Sequence, residues 1–217
     1  LKADMPGWLR QELEAFISHV GYPLSVRSSS LLEDAQFQPY AGLYETYMIP
    51  NNHPDPAVRL THLMNAVKLV YASTYYENPK AFARNTANQP QEEAMAVIIQ
   101  QVVGQQYGDH FYPAISGVCQ SHNFYPVSHM KPEEGIAHIA LGLGKTVVEG
   151  ERTLRFSPKH PHINPQFSTV DDILNNAQRY FYSLKLRNYP SDLNFWKNAN
   201  LEKREVDEAE TEFPVRA

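Results

Sequence analysis

Residues 55–75 carry the strongest helical signal in the chain. Asp55 has the side chain of an N-cap and Pro56 suits the first helical position. Leu60, Leu63, Met64, Val67, Val70, Tyr71 and Thr74 then fall on one stripe at helical spacing. The segments on either side alternate between helical and extended patterns. Residues 7–20 place Trp8, Leu9, Leu13, Phe16, Ile17 and Val20 near helical spacing, and Gly21 and Pro23 end that run. Residues 22–28 read as a short strand in which Leu24 and Val26 alternate with Ser25 and Arg27. A short helix is expected around 78–85. Further strands are expected in the second half of 38–49, over 94–103 as a buried strand rich in Val and Ile, and over 112–120, 135–143 and 153–156. Residues 169–184 read as one capped helix, with Asp171 and Asp172 in its first turn and Ile173, Leu174, Ala177, Phe181 and Leu184 on its apolar face. Residues 201–211 are a charge run without an apolar stripe, expected as a solvated helix or fraying terminus. Helices and strands interspersed in this way predict a mixed α and β architecture.

The 217 residues suit one large domain or two small subdomains. A net charge of −5 argues against a surface built to neutralise nucleic-acid phosphates. No apolar run approaches the ~20 residues of a membrane helix. The single cysteine, Cys119, leaves no partner for an internal disulfide and is expected as a buried, inert thiol. The chain starts at Leu1 without Met and shows no signal peptide, which reads as a piece of a longer, cytoplasmic protein.

The most informative local feature is Val26-Arg27-Ser28-Ser29-Ser30. An arginine at a strand end, followed by small hydroxyl residues and a turn, makes an anion site: backbone N–H groups favour negative charge and a guanidinium grips phosphate oxygens in a fork. Ser30 and Glu33 have capping-box spacing, so a short helix is expected to start there. The same residues also fit a solvated strand-to-helix turn. Gly42 opens a second small-residue turn, which lets backbone approach a ligand closely, and Thr46 offers a hydroxyl after it. Gly144-Lys145-Thr146 is not a Walker loop, because Ile139 stands where the first glycine is required; a glycine-relaxed turn between strand and helix is the expectation. His160 and His162, separated by Pro161, are expected as surface residues, and no metal site is assigned.

Taken in order, these segments resemble the ATP-binding domain of the phosphoenolpyruvate synthase and pyruvate phosphate dikinase family. Val26-Arg27-Ser28-Ser29-Ser30 with Glu33-Asp34 is similar to its VRSSxxxED stretch. Ala41-Gly42-Leu43-Tyr44-Glu45-Thr46-Tyr47 is similar to its AGQxET loop. Residues 96–103 followed by Ser116-Gly117-Val118 are similar to its VVVQxMV…SGV pair, and residues 142–150 to its GLGExVVxG segment.

This resemblance implies an α+β, ATP-grasp-like fold with a mixed or antiparallel sheet, flanking helices and two subdomains. The matched core covers 22–150, with a helical C-terminal part over 165–217. It implies ATP with Mg²⁺ as cofactors. Arg27 would contact the phosphates as catalytic and binding residue, with Ser28 beside it. Gly42, Tyr44, Glu45 and Thr46 would close over them. Gln100 would lead to the adenine, and Gln101, Val102 and Val103 would form the hinge whose backbone reads the base edge. Phosphoryl transfer would then pass to a phosphohistidine domain and an acceptor-binding domain of the parent protein. Neither nucleic acid nor membrane is an expected partner. The family has Glu where Lys145 stands, and its metal ligands are expected outside this chain. The alternative is a degenerate nucleotide-sensing or interaction module without catalysis.

Overall fold

The computed structural model describes residues 2–30, 33, 42–84, 95–127, 130–187 and 199–212. The order of elements is α1 (Gly7–His19), β1 (Leu24–Ser30), β2 (Thr46–Ile49), α2 (Pro56–Ser73), α3 (Glu77–Arg84), β3 (Met95–Gln101), β4 (Gln105–Tyr107), β5 (His110–Tyr112), β6 (Ser116–Gln120), β7 (Ile136–Ala140), α4 (Lys145–Val148), β8 (Leu154–Phe156), α5 (Val170–Asn176), β9 (Tyr180–Lys185), β10 (Leu201–Glu205) and α6 (Val206–Glu212). Short 3-10 turns lie at Pro132–Glu134 and Pro165–Phe167. The chain divides into two compact units, Leu1–Val102 with Lys185–Leu201, and Val103–Leu184 with Glu202–Ala217.

The first unit is built on a three-stranded antiparallel sheet in the order β2-β1-β3. Asp55 caps α2 by accepting from the Ala57 N–H at 2.8 Å, with Pro56 at the first helical position. Leu60, Leu63, Ala66, Val67, Leu69 and Val70 of α2 bury against Leu13 and Ile17 of α1 and against Leu24, Val26, Tyr47 and Ile49 of the sheet. Strand alternation thus turns one sheet face toward the helices. Asn51, with φ of 53°, bridges the end of α1 to the start of β1: its Nδ2 donates to the Val20 and Tyr22 carbonyls at 3.2 and 3.0 Å. Replacing Asp55 by Ala removes the cap and is expected to cost about 1 kcal/mol, read as a lower urea midpoint.

The second unit holds a four-stranded sheet, β10-β9-β5-β4, and a three-stranded antiparallel sheet, β6-β7-β8. Tyr112 and Phe181 are fully buried with ring centroids 4.9 Å apart. Arg204 is buried beside them, and its guanidinium donates to both carboxylate oxygens of Glu212 at 3.1 and 3.2 Å and to Glu208 at 3.0 Å. The Tyr112 hydroxyl donates to the same Glu212 carboxylate.

Several expectations are corrected here. The helix expected over 169–184 stops at Asn176; it starts with Asp171 and Asp172 in its first turn as expected, closed by a capping box between Thr169 and Asp172, but Tyr180–Lys185 is a strand. Its aromatic residues alternate between exposed and buried sides, which suits a pleated surface. Residues 201–211 form β10 followed by α6, pinned by buried Arg204 and Ala209. The C-terminal part over 165–217 therefore contains two strands among its helices. The stretch 112–120 divides at Pro113 into β5 and β6, which join different sheets. β3 is only half covered, because it is an edge strand with helices on one face. Cys119 is exposed for the same reason on edge strand β6. Ser30 ends β1 and is followed by a turn at Glu33; the remainder of the helix expected there, with residues 31–32 and 34–41, lies outside the described residues.

Candidate functional site

Antiparallel pairing fixes which side chains share the face of the β2-β1-β3 sheet turned away from α1 and α2. Arg27 on β1 has Thr46 on β2 and Ile98 on β3 as its Cα partners, and Ser25 has Met48 and Gln100. Cα partners lie on one side of the pleat. Arg27, Thr46 and Gln100, singled out from separate segments, therefore share one face with Ser25, Ser29, Met48 and Ile98. Arg27 and Gln100 are exposed and Ile98 is 40% exposed. Among the described residues neither the Arg27 guanidinium nor the Thr46 hydroxyl is engaged in a side-chain hydrogen bond or ion pair. An open guanidinium beside a hydroxyl is a donor set suited to phosphate oxygens.

Ser28 lies on the opposite side of β1, buried among the core residues. Its hydroxyl donates to Glu33 Oε1 at 2.7 Å, and the Ser30 N–H donates to Glu33 Oε2 at 3.0 Å. Glu33 thus ties off the turn after β1. This is one half of the capping-box arrangement that its spacing suggests. Ser28 holds the turn and is not brought to the Arg27 face.

The segment from Gly42 to Thr46 is anchored at one end and open at the other. Tyr44 is buried, and the Glu45 N–H donates to Ser73 Oγ at 3.2 Å, while that hydroxyl donates to the Val70 carbonyl at 2.6 Å. The Glu45 amide is therefore engaged with α2. Gly42 has φ of 74°, a backbone conformation other residues rarely adopt, and no described residue comes within 4 Å of where its Cβ would stand. Sequence reading missed Ser73, a buried helix-end hydroxyl whose only signal was its place three residues after Val70 of the α2 stripe.

Gln101 partners Leu24, so it belongs to the other side of the sheet from Gln100, though it is exposed at the strand end. Val102 is buried and its N–H donates to the Pro23 carbonyl at 2.9 Å. Val103 is 78% exposed. The division between the two units falls between these two valines.

In the second unit, Gly142 to Gly144 form the turn from β7 into α4, whose first residues are Lys145 and Thr146, as the sequence indicates for a non-Walker segment. Lys145 pairs with Glu149 and lies 5.1 Å above the Tyr182 ring. Glu151 accepts from the Tyr182 hydroxyl and from Lys203 Nζ, each at 2.9 Å. Burial would raise the Glu151 carboxyl, but those two hydrogen bonds and the charges of Lys203 and Lys145 outweigh it and hold the group below its ordinary value. Glu212 is engaged with Arg204 and Tyr112, and His160 lies 3.6 Å from Glu134. Among the described residues no group of three or more His, Cys, Asp or Glu side chains could hold a metal ion, and no helix is long and apolar enough to cross a membrane.

The sequence matches the family model of the pyruvate phosphate dikinase AMP/ATP-binding domain over residues 1–209. The chain belongs to that family. Among curated proteins it is similar to the "Uncharacterized phosphotransferase YvkC" of Bacillus subtilis (strain 168), with 29% identity over 130 residues. That match covers 60% of this chain and 14% of the other protein, so the chain spans a small part of the length of this relative. The helices and antiparallel sheets agree with the α+β, ATP-grasp-like architecture the resemblance implies.

Proposed function

We propose that this member of the pyruvate phosphate dikinase AMP/ATP-binding family binds ATP on the outer face of the β2-β1-β3 sheet, within a larger cytoplasmic phosphotransferase that phosphorylates a histidine on a separate domain. The observation that carries the reading is the open Arg27 guanidinium flanked by Thr46, with Gln100 on the same face. In this reading Arg27 forks onto phosphate oxygens, which positions them and stabilises charge that spreads over them during transfer. The Thr46 hydroxyl donates beside it, and Gly42 lets the preceding backbone come close. Gln100 leads toward the base, and the backbone of Gln101 and Val103, with the Val102 carbonyl, reads the adenine edge, the Val102 N–H being held by Pro23. Mg²⁺ would supply further charge neutralisation when bound with the nucleotide. The described residues hold no carboxylate set suited to it, so we assign it no ligand in this chain. The acceptor, and the domain that binds it, lie with the parent protein.

The test is calorimetric titration of the intact protein with ATP and Mg²⁺, followed by a phosphohistidine assay with γ- and β-labelled ATP. Saturable binding and acid-labile label on a histidine are the expected results. Nucleotide at one hundred times its Kd should also add about 2.7 kcal/mol to stability. Absence of any ATP binding would sink the proposal. A second reading, a nucleotide sensor without catalysis, is favoured by Lys145, which stands in the family's Glu position and is paired with Glu149. Binding without histidine labelling would select it.

A further inference from the structure

The second unit contains a cavity of about 360 Å³ lined by Val127, Met130, Ile136, Arg155, Phe156 and Gln166. That volume lies within the range of about 300–1,000 Å³ usual for small-molecule sites. Four of the six lining side chains are apolar, and Met130 and Ile136 are buried. The Gln166 amide is committed to backbone at both ends, which leaves it one N–H and one oxygen lone pair. Its Oε1 accepts from the Arg155 backbone N–H at 3.0 Å and its Nε2 donates to the Thr153 carbonyl at 2.9 Å. Gln166 instead holds β8 in place.

Arg155 differs from its surroundings. It is partly buried, and its Nη2 donates to the Tyr125 carbonyl at 3.0 Å. Among the described residues that neutral carbonyl is its only side-chain partner, and no carboxylate pairs with it. Its Cα partner on β7 is His138, on the same side of the pleat. Burial first, and the Arg155 charge second, hold the His138 imidazole below its ordinary value; neutral or protonated, an imidazole carries no negative charge and offers Arg155 no counter-ion. A partly buried charge without a counter-ion is costly, and an arriving anion would relieve that cost. A single cation against apolar walls suits a singly charged group on an apolar body; a dianionic phosphate would leave a second charge unmet.

We propose that this cavity binds a small organic carboxylate with a compact apolar or aromatic body. The carboxylate would take a fork from the guanidinium edge that the Tyr125 carbonyl leaves open, Nη2 with either Nε or Nη1, and the body would rest on Met130, Ile136 and Phe156. This site lies wholly within the second unit and does not depend on the nucleotide reading.

Calorimetric titration of the intact protein, with ATP present throughout, tests this with benzoate, benzamide and phenyl phosphate. Benzoate is expected to bind with a millimolar Kd, and neutral benzamide about tenfold or more weaker. Arg155→Gln retains an N–H donor for the Tyr125 carbonyl and is expected to weaken benzoate about tenfold while leaving benzamide unchanged. Benzoate and benzamide binding equally to the unaltered protein would overturn the proposal, as would no saturable benzoate binding up to about 10 mM. Full benzoate affinity in a folded Arg155→Gln variant, or phenyl phosphate binding more tightly than benzoate, would overturn it equally. Should that variant fail to fold, the benzoate-to-benzamide ratio on the unaltered protein decides alone.

Discussion

Arg27→Ala in the intact protein is expected to weaken ATP binding by about 10- to 150-fold, corresponding to the ~1.5–3 kcal/mol of one charge-assisted phosphate contact. The fold should be little affected. Arg27 is exposed and has no side-chain partner among the described residues, and substitutions at such positions usually change stability by less than about 0.5 kcal/mol. Arg27→Lys separates charge from geometry, because a lysine keeps the positive charge and loses the planar fork. It should therefore fall between the native protein and Arg27→Ala. Titration calorimetry gives the three Kd values, and circular dichroism checks that the variants fold. An unchanged Kd in Arg27→Ala would remove Arg27 from the site. Ser28→Ala makes an internal contrast. Its hydroxyl supports the Glu33 turn on the opposite side of the strand, so it should lower stability more than it alters the intrinsic affinity of the folded protein for ATP.

What could be read from the sequence depended on the range of each determinant. The α2 helix was legible because Asp55, Pro56 and the apolar stripe are all local. Arg27 and Thr46 were legible as separate motifs, but their meeting across β1 and β2 depends on register, which no local pattern specifies. Ser28 failed for a different reason: alternation from Val26 puts it on the buried side, but the family resemblance set it beside Arg27 as a binding residue. The failure over 169–184 was a contest between periods. Ile173, Leu174, Ala177, Phe181 and Leu184 fit a helical stripe, yet Tyr180 to Lys185 is a strand, and short apolar runs do not separate the two. Cys119 and β3 were expected inside because Val, Ile and Cys favour burial. Their exposure comes from edge positions in their sheets, a property of the assembled topology. The charge run at 201–211 hid a buried Arg204 whose partners, Tyr112 and Glu212, are far apart in the chain.

Gly142→Ala is expected to destabilise the second unit by about 2–5 kcal/mol. That figure combines ~1–2 kcal/mol for left-handed backbone in a residue with a Cβ and ~1–3 kcal/mol for overpacking. Gly142 has φ of 84°, and an added Cβ would meet the Tyr182 carbonyl oxygen at 2.8 Å and Phe181 side-chain atoms at 2.7 and 2.9 Å. Phe181 is fully buried, and the neighbouring Leu143 N–H donates to that same Tyr182 carbonyl at 2.9 Å, so neither contact can move away cheaply. Gly42→Ala is the matched control: φ is 74°, but nothing among the described residues lies within 4 Å of an added Cβ, so only the conformational cost of ~1–2 kcal/mol is counted. Two glycines that look alike in their motifs are thus needed for different reasons, one to let β9 pack and the other to shape an open turn. Hydrogen exchange distinguishes them, with Gly142→Ala speeding exchange in peptides from β7, α4 and β9. If those peptides keep their protection and the urea midpoint is unchanged, the glycine in this phosphate-loop lookalike is not there for packing against β9.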